Sequence, residues 1–132
     1  MFGLRPPPMR FMLSNAAKAA LRDIAHHIDL AIDFTQGFDQ ERFLADSRTA
    51  YAVTRCLEII SEASPRLPEE LKARHPAIVW KDIAGAGNIY RHNYEDVAPH
   101  LVWDTVRSDL PPLRAVMERE LSSLGPTDCG LN

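Results

Sequence analysis

Apolar residues recur at intervals of three and four along most of the chain, which is the spacing of one face of an α-helix. The first such segment begins at Ser14 or Asn15, either of which is a suitable N-cap, and Gly37 is suited to close it. Its apolar positions are Leu21, Ile24, Ala25, Ile28, Ile32 and Thr35. The pattern therefore predicts a long amphipathic first helix.

Two further helices are predicted before the middle of the chain. Asp39 is a suitable N-cap for a short helix, and Asp46 or Ser47 for the longer one that follows. The longer helix ends at Pro65. Its apolar stripe is Val53, Cys56, Leu57, Ile60 and Ala63, while Arg55, Glu58 and Glu62 lie off that stripe.

The segment PEELKARH predicts a short helix, because Pro68 falls in a first turn that tolerates proline and the segment stops before Pro76. The next stretch, AIVW at residues 77–80, resembles a strand but has no strand partner elsewhere in the chain. We interpret it as the buried lead-in to a helix that is capped by Asp82 and runs through IAGAGNIYRH.

Residues 98–124 predict the last helical segment, which Pro111 and Pro112 kink or split. Its apolar positions are Leu101, Val102, Thr105, Val106, Leu110, Leu113, Val116, Met117 and Leu121. No strand alternation, internal repeat or glycine-rich phosphate loop appears in the sequence. The predicted fold class is all-α, an antiparallel bundle of four main helices with short extra helices.

The length of 132 residues fits one domain with its own core. We expect a disordered N-terminal leader at 1–13, a helical domain at 14–124 and a C-terminal tail at 125–132. The composition, 45% apolar and 25% charged, is that of a globular protein. A net charge of -3 gives no broad surface for nucleic acid, so any contact with nucleic acid needs a local basic site.

The two cysteines, Cys56 and Cys129, have no spacing typical of a zinc site or redox motif, which favours a reducing compartment. No run approaches the roughly eighteen apolar residues that cross a bilayer. Three consecutive prolines interrupt the opening MFGLRPPPMRFML, which lacks the small-residue cleavage site of a signal peptide. We therefore expect a cytoplasmic protein without membrane contact.

The histidines outside the most polar helix do not form a metal site in this reading. His26 and His27 are adjacent, so on a helix they point about 100° apart and cannot hold one ion from one face. His75 in a connection and His100 near the start of the last helix are interpreted as solvated polar residues. We expect neither a metal nor a cofactor.

The segment GNIYRHNY, residues 87–94, concentrates polar side chains. Asn88 and His92 are four apart and share a helical face, and Arg91 is three from Asn88. An imidazole beside a guanidinium and an amide suits metal-free phosphodiester chemistry, in which His moves a proton and the donors hold phosphate. A polar helix end facing water remains the alternative. Gly85 and Gly87 lower helix propensity, which favours a close approach to the backbone there.

Three collinear landmarks carry a resemblance to a known family. They are CLEIISEASPRLPEELKARHP, then IVWKDIAGAGNIYRHNY, then LVWDTVRSDLPPLR. From about Asn15 to Leu124 the chain resembles HepT-like proteins of the HEPN superfamily. The resemblance implies an all-α homodimer, and it implies a toxin ribonuclease that is encoded beside a minimal nucleotidyltransferase antitoxin, MntA.

The motif of that family is an arginine, four residues, a histidine, one residue and a tyrosine. The resemblance places His92 on the histidine, Tyr94 on the tyrosine and Asn88 on the polar residue after the arginine, but Gly87 stands at the arginine itself. We infer that Arg91, one turn onward, takes its role. The resemblance also implies that Tyr94 accepts AMP units transferred by the antitoxin. The negative charge of each AMP phosphate would repel an RNA phosphate.

Glu62 corresponds to an acidic position that family members pack near the motif. It is either a supporting residue that orients His92 or Arg91, or a plain surface glutamate. The leading hypothesis is a homodimeric, metal-independent endoribonuclease that cuts RNA and is neutralised by AMP transfer to Tyr94. The alternative is a HEPN-fold partner of a nucleotidyltransferase that has lost catalysis; a nucleotide-binding helper subunit is a third possibility.

Overall fold

The computed structural model describes residues 13–92 and 97–124, and within them the side chains of residues 90–98 are not described. All regular structure in these ranges is helical, so the predicted all-α class is confirmed. The helices are α1 (Asn15–Phe34), α2 (Gln40–Ala45), α3 (Ser47–Ala63), α4 (Glu69–Ala73), α5 (Trp80–His92), α6 (Val97–Asp104) and α7 (Leu110–Ser122). A 3₁₀ turn, Ser64–Arg66, follows α3, and a π-helical turn, Thr105–Asp109, joins α6 to α7.

The first three helices begin at the caps that the sequence predicts. The side chains of Ser14, Asp39 and Asp46 each accept the backbone N–H three residues onward, at 2.8–3.1 Å. Each bond satisfies an N–H that has no partner within its helix. Gly37, with φ of 78°, turns the chain three residues after the end of α1, in a left-handed conformation that glycine adopts without strain.

The core lies where α1 packs against α3 and α7, and α3 also packs against α5. Among the described residues, those that are 0% exposed are Ala20, Leu21, Ile24, Ile28, Ala31, Phe43, Val53, Ala63, Leu71, Val102 and Met117. The whole apolar stripe predicted for α3 is buried, as expected. The short helices α2 and α6 pack against each other and against α3, with the rings of Phe43 and Trp103 5.3 Å apart. A regular four-helix bundle stays a prediction.

The start of α5 differs from the sequence interpretation. The helix begins at Trp80, before Asp82, because the carbonyl of Val79 accepts the N–H groups of Asp82 at 3.0 Å and Ile83 at 3.3 Å. The interpretation of residues 77–80 as a buried lead-in was wrong, since Val79 is 59% exposed. Trp80 is anchored instead by its indole N–H, which donates to backbone carbonyls of residues 72 and 75 at 3.1 and 3.3 Å. Asp82 lies in the first turn, where its negative charge interacts favourably with the positive end of the helix dipole.

The prediction that Pro111 and Pro112 kink or split the last helical segment agrees with the structure, in which a π-helical turn separates α6 from α7. Both lie in the first turn of α7, where a missing N–H breaks no helical bond, and the π-helical turn precedes them. Leu101, expected on the buried face, is 37% exposed, while Val102 and Val106 are buried. The wider turn accounts for this difference because it rotates α6 relative to α7.

The predicted leader, residues 1–13, and the predicted tail, residues 125–132, lie outside the described residues except for Leu13. Leu13 is partly buried against the core. No helix in the described ranges is long and apolar enough to cross a membrane.

Candidate functional site

The predicted site residues are concentrated on α5. Asn88 is exposed, and Arg91 and His92 are the last two residues of the helix. Since Asn88 and His92 are four residues apart, their positions share one face of α5. The side chains of Arg91 and His92, and the whole of Tyr94, lie outside the described residues. Their roles therefore stay predictions.

The contact between α3 and α5 includes Ser61, which is 4% exposed. Its hydroxyl donates to the carbonyl of Ala84 at 2.9 Å and accepts the backbone N–H of Gly87 at 3.1 Å. Gly87 itself is buried, whereas its neighbour Asn88 is exposed. The position that the resemblance gives to the family arginine therefore lies inside a close contact between two helices.

Glu62, the predicted supporting residue, is exposed on α3, next to Ser61 in sequence. Since α3 packs against α5, Glu62 lies on the helix that neighbours the motif. Whether it orients Arg91 or His92 stays a prediction, because those two side chains are outside the described residues.

An apolar groove of about 280 Å³ runs beside the first half of α5. Its lining residues come from α3, α5, the π-helical turn, α7 and the connection before α5, and they include Ile60, Val79, Ile83 and Leu113. Asp82 and Asp109 are the ionisable residues of this lining. Neither Asn88 nor Glu62 lines the groove, so it is separate from the described part of the predicted site.

Glu120 of α7 forms a buried junction with the end of α4. It is 4% exposed, and its carboxylate accepts two hydrogen bonds from Arg74, at 2.8 and 3.2 Å, and one contact from Nε2 of His75 at 2.5 Å. Burial alone would raise the pKa of Glu120, but the hydrogen bonds from Arg74 and His75 outweigh it and lower the pKa below its ordinary value.

This junction corrects the interpretation of His75 as a solvated residue, since the His75 side chain is 10% exposed and paired with Glu120. Sequence reasoning missed Glu120 altogether. A signal was present, because Glu120 follows Leu113 and Met117 at helical spacing on the buried face of α7. A carboxylate on an apolar stripe indicates a buried partner.

The other histidines in the described ranges make local contacts. Nδ1 of His100 lies 3.1 Å from the amide nitrogen of Gln40, and Nδ1 of His27 lies 2.8 Å from the carbonyl of Asp23. No three His, Cys, Asp or Glu side chains come together there in a way that would hold a metal ion.

Comparison with known proteins adds independent information. A family model described as "Ribonuclease HepT-like" matches residues 24–120. A probable ribonuclease HepT from Thermococcus cleftensis is 38% identical over 107 residues, which are 81% of this chain and 97% of the relative. Two candidate RNases from Methanocaldococcus jannaschii are 35% identical over 107 residues (81% of this chain, 92% of the relative) and 32% identical over 111 residues (84% and 92%). No solved structure matches the chain significantly.

Proposed function

The chain belongs to the HepT-like ribonuclease family, and from this premise we propose that it is an endoribonuclease whose reacting groups stand at the end of α5. One observation supports this placement. Asn88 is exposed on the same helical face as the position of His92, one turn before the helix ends, while the neighbouring Gly87 is buried against α3. The end of α5 therefore offers an accessible amide beside a histidine position and an arginine position.

In the proposed reaction, His92 takes the proton from a ribose 2′-hydroxyl, and the freed oxygen attacks the neighbouring phosphorus. The bond from phosphorus to the 5′ oxygen breaks. The leaving 5′ oxygen takes a proton from water, His92 then returns its own proton to the solvent, and a 2′,3′-cyclic phosphate remains on the other fragment. Arg91 and Asn88 hold the phosphate and offset the negative charge that develops on it. No step requires a metal ion.

Arg91 supplies the guanidinium in this proposal. Gly87 is buried, its N–H is bonded to the Ser61 hydroxyl of α3, and it has no side chain to bind phosphate. Arg91 is four residues after Gly87, so its position is on the same side of α5, one turn nearer the helix end. A guanidinium there is within one turn of both Asn88 and His92.

Cleavage of RNA in the presence of a chelator tests the proposal. We expect His92→Ala to abolish cleavage and Arg91→Ala to reduce it strongly, with a cyclic phosphate at the end of the product. The matched control is His100→Ala, which removes a histidine whose ring contacts Gln40. Cleavage that persists in the His92→Ala variant would remove His92 from the mechanism.

We further propose that a minimal nucleotidyltransferase antitoxin silences the enzyme in the cytoplasm by transferring AMP to Tyr94. Each AMP adds a negative phosphate and a base beside the site, which repels and excludes RNA. Mass spectrometry after incubation with such a transferase and ATP should find AMP on Tyr94 and none after Tyr94→Phe. Tyr51→Phe is the matched control, because Tyr51 is 73% exposed on α3 and its phenol is accessible to the transferase. Label on another residue would contradict this proposal.

A homodimer would bring two copies of the α5 site together and double the local positive charge that a chain of net charge -3 lacks overall. Mixing His92→Ala chains with Asn88→Ala chains tests whether the site is shared. Partial recovery of cleavage is expected if one chain supplies the histidine and the other the amide. Mixed chains that associate but stay inactive would place each site within one chain.

The second candidate function is a HEPN-fold partner that binds a nucleotidyltransferase without cutting RNA. The observation that favours it is Gly87, which stands at the arginine of the family motif and is buried. Stable binding to the transferase, together with no RNA cleavage by the wild-type chain under any tested condition, would establish this function over the nuclease.

A further inference from the structure

Ser61 differs from other hydroxyl residues of its helix in where its side chain bonds. The hydroxyl of Thr54 donates to the carbonyl of Ala50 at 2.7 Å, within α3 itself, which is the common behaviour of Ser and Thr in helices. The hydroxyl of Ser61 instead bonds across to α5, to residues 23 and 26 positions later in the chain. Its hydrogen bonds therefore act between helices.

The bond geometry restrains α5 in two ways. The Ser61 oxygen contacts a carbonyl and an N–H that are three residues apart, at Ala84 and Gly87, so it touches two points on one side of the helix. Two contacts on one side hold both the rotation of α5 about its axis and its position along that axis. The restraint lies immediately before Asn88, and His92 follows one turn later.

The sequence of α5 makes this restraint important. Gly85 and Gly87 fall in the interior of the helix, where each glycine lowers helix stability relative to alanine. At Gly87 the small residue lets the Ser61 hydroxyl reach the backbone. Since α5 gains little from its own propensity here, the Ser61 hydroxyl adds a directional link between the middle of α5 and α3 to the apolar packing of Ile83 and Ala86.

We propose that Ser61 is a positioning residue, whose hydroxyl, by bridging the Ala84 carbonyl and the Gly87 N–H, fixes the orientation of α5 and so places Asn88 and His92 for reaction. The part of this inference that concerns reaction rests on the proposed ribonuclease function. Ser61 itself is buried and does not touch substrate. Removing its hydroxyl therefore lowers the rate of the chemical step more than it lowers substrate binding.

The test compares Ser61→Ala, Ser61→Thr and a matched control, Thr54→Val, which removes a hydroxyl bonded only within α3. Hydrogen–deuterium exchange is measured on the amides of α1 and α5, and kcat and KM are measured for RNA cleavage. For Ser61→Ala we expect about tenfold faster exchange in α5 from the loss of two hydrogen bonds, with α1 unchanged. We also expect kcat to fall about tenfold with KM within about twofold. Ser61→Thr keeps the hydroxyl and should restore both, and Thr54→Val should change neither.

Unchanged exchange in α5 of Ser61→Ala would overturn the proposal, as would equally faster exchange in α1, which would show that the variant acts through global stability. A rise in KM without a fall in kcat would also overturn it, because it would place Ser61 in substrate binding. If the wild-type chain cuts no RNA, the proposed function fails by itself, and the exchange of α5 still decides whether Ser61 holds the helix.

Discussion

The junction of Glu120 with Arg74 and His75 and the contact of Ser61 with α5 both hold the same helix, but they do so with different chemistry. The junction fixes the connection that enters α5, because the carbonyl of His75 also accepts the indole N–H of Trp80 at 3.3 Å. The Ser61 contact fixes the middle of α5 through one neutral hydroxyl and two backbone groups.

The two contacts therefore respond differently to pH and to mutation. A buried carboxylate that is hydrogen-bonded to a guanidinium and an imidazole depends on pH and is costly to break. A neutral hydroxyl against a helix backbone is insensitive to pH, and this contact depends on the absence of a side chain at Gly87, where added volume is costly. Hydrogen bonds to the Glu120 carboxylate therefore hold the connection that enters α5, whereas close packing against a neutral hydroxyl holds its middle. A mutation can change either contact without changing the other.

The largest expected effect is at the junction. Glu120→Ala leaves Arg74 and the buried His75 without their carboxylate, and should lower the free energy of unfolding by about 3 kcal/mol. Glu118→Ala is the matched control on the same helix, because Glu118 is 67% exposed and pairs with Arg114 on the surface at 3.4 Å. The free energy of unfolding of Glu118→Ala should fall by no more than about 0.5 kcal/mol. Urea unfolding measures both, and equal losses would show that the junction is no stronger than a surface pair.

The same junction should make stability fall in acid. Since the pKa of Glu120 in the folded protein is lower than its ordinary value, its stabilisation is present above the ordinary carboxyl pKa of about 4.3 and is lost as pH falls through the lowered value. The difference in stability between the wild type and Glu120→Gln should therefore shrink below about pH 4.3. The difference between the wild type and Ser61→Ala should not follow that course. Unfolding curves across pH would contradict this if both differences change together.

The next effect is at the middle of α5, where Gly87→Arg restores the arginine of the family motif. Because Gly87 is buried against Ser61, the added side chain should cost about 2 kcal/mol through overpacking and should not raise RNA cleavage. Gly85→Arg is the matched control, since among the described residues no atom outside the adjoining backbone of α5 lies within 4 Å of a Cβ at Gly85. Thermal unfolding of both variants tests this. A stable, more active Gly87→Arg variant would show that Arg91 does not replace the motif arginine.

The comparison also shows what the sequence can predict. The caps Ser14, Asp39 and Asp46 were predicted correctly because each bonds only three residues away, so the neighbouring residues determine the outcome. The buried stripe of α3 was predicted correctly because periodicity reports which face of a helix is covered. These are local signals.

A close approach to the backbone was expected at Gly87 and is observed, but its partner Ser61 and the Glu120 junction were not predicted, because both pairings join residues far apart in the chain. Glu120 is 45 residues from His75, and Gly87 is 26 from Ser61, and neither pairing leaves a repeated pattern. Residues 77–80 were misinterpreted for a related reason: their exposure depends on how Trp80 bonds to the end of α4. The family resemblance supplied the motif positions, whereas the burial of Gly87 came only from the fold.

The smallest expected effect concerns Gly85, the other glycine of α5. Unlike Gly87, it makes no described close contact with α3. Gly85 lies in the helix interior with open space around it in the described structure, so Gly85→Ala should raise the free energy of unfolding by about 0.5–1 kcal/mol. Gly37→Ala is the control of opposite sign, because φ of 78° strains any residue with a Cβ and should lower stability by about 1 kcal/mol. RNA cleavage by Gly85→Ala should equal that of the wild type, because no described side chain occupies the space that the added methyl group takes. A stabilised variant that cuts RNA more slowly would instead mean that substrate or a second copy approaches the backbone at Gly85, and would extend the site one turn back along α5 from Asn88.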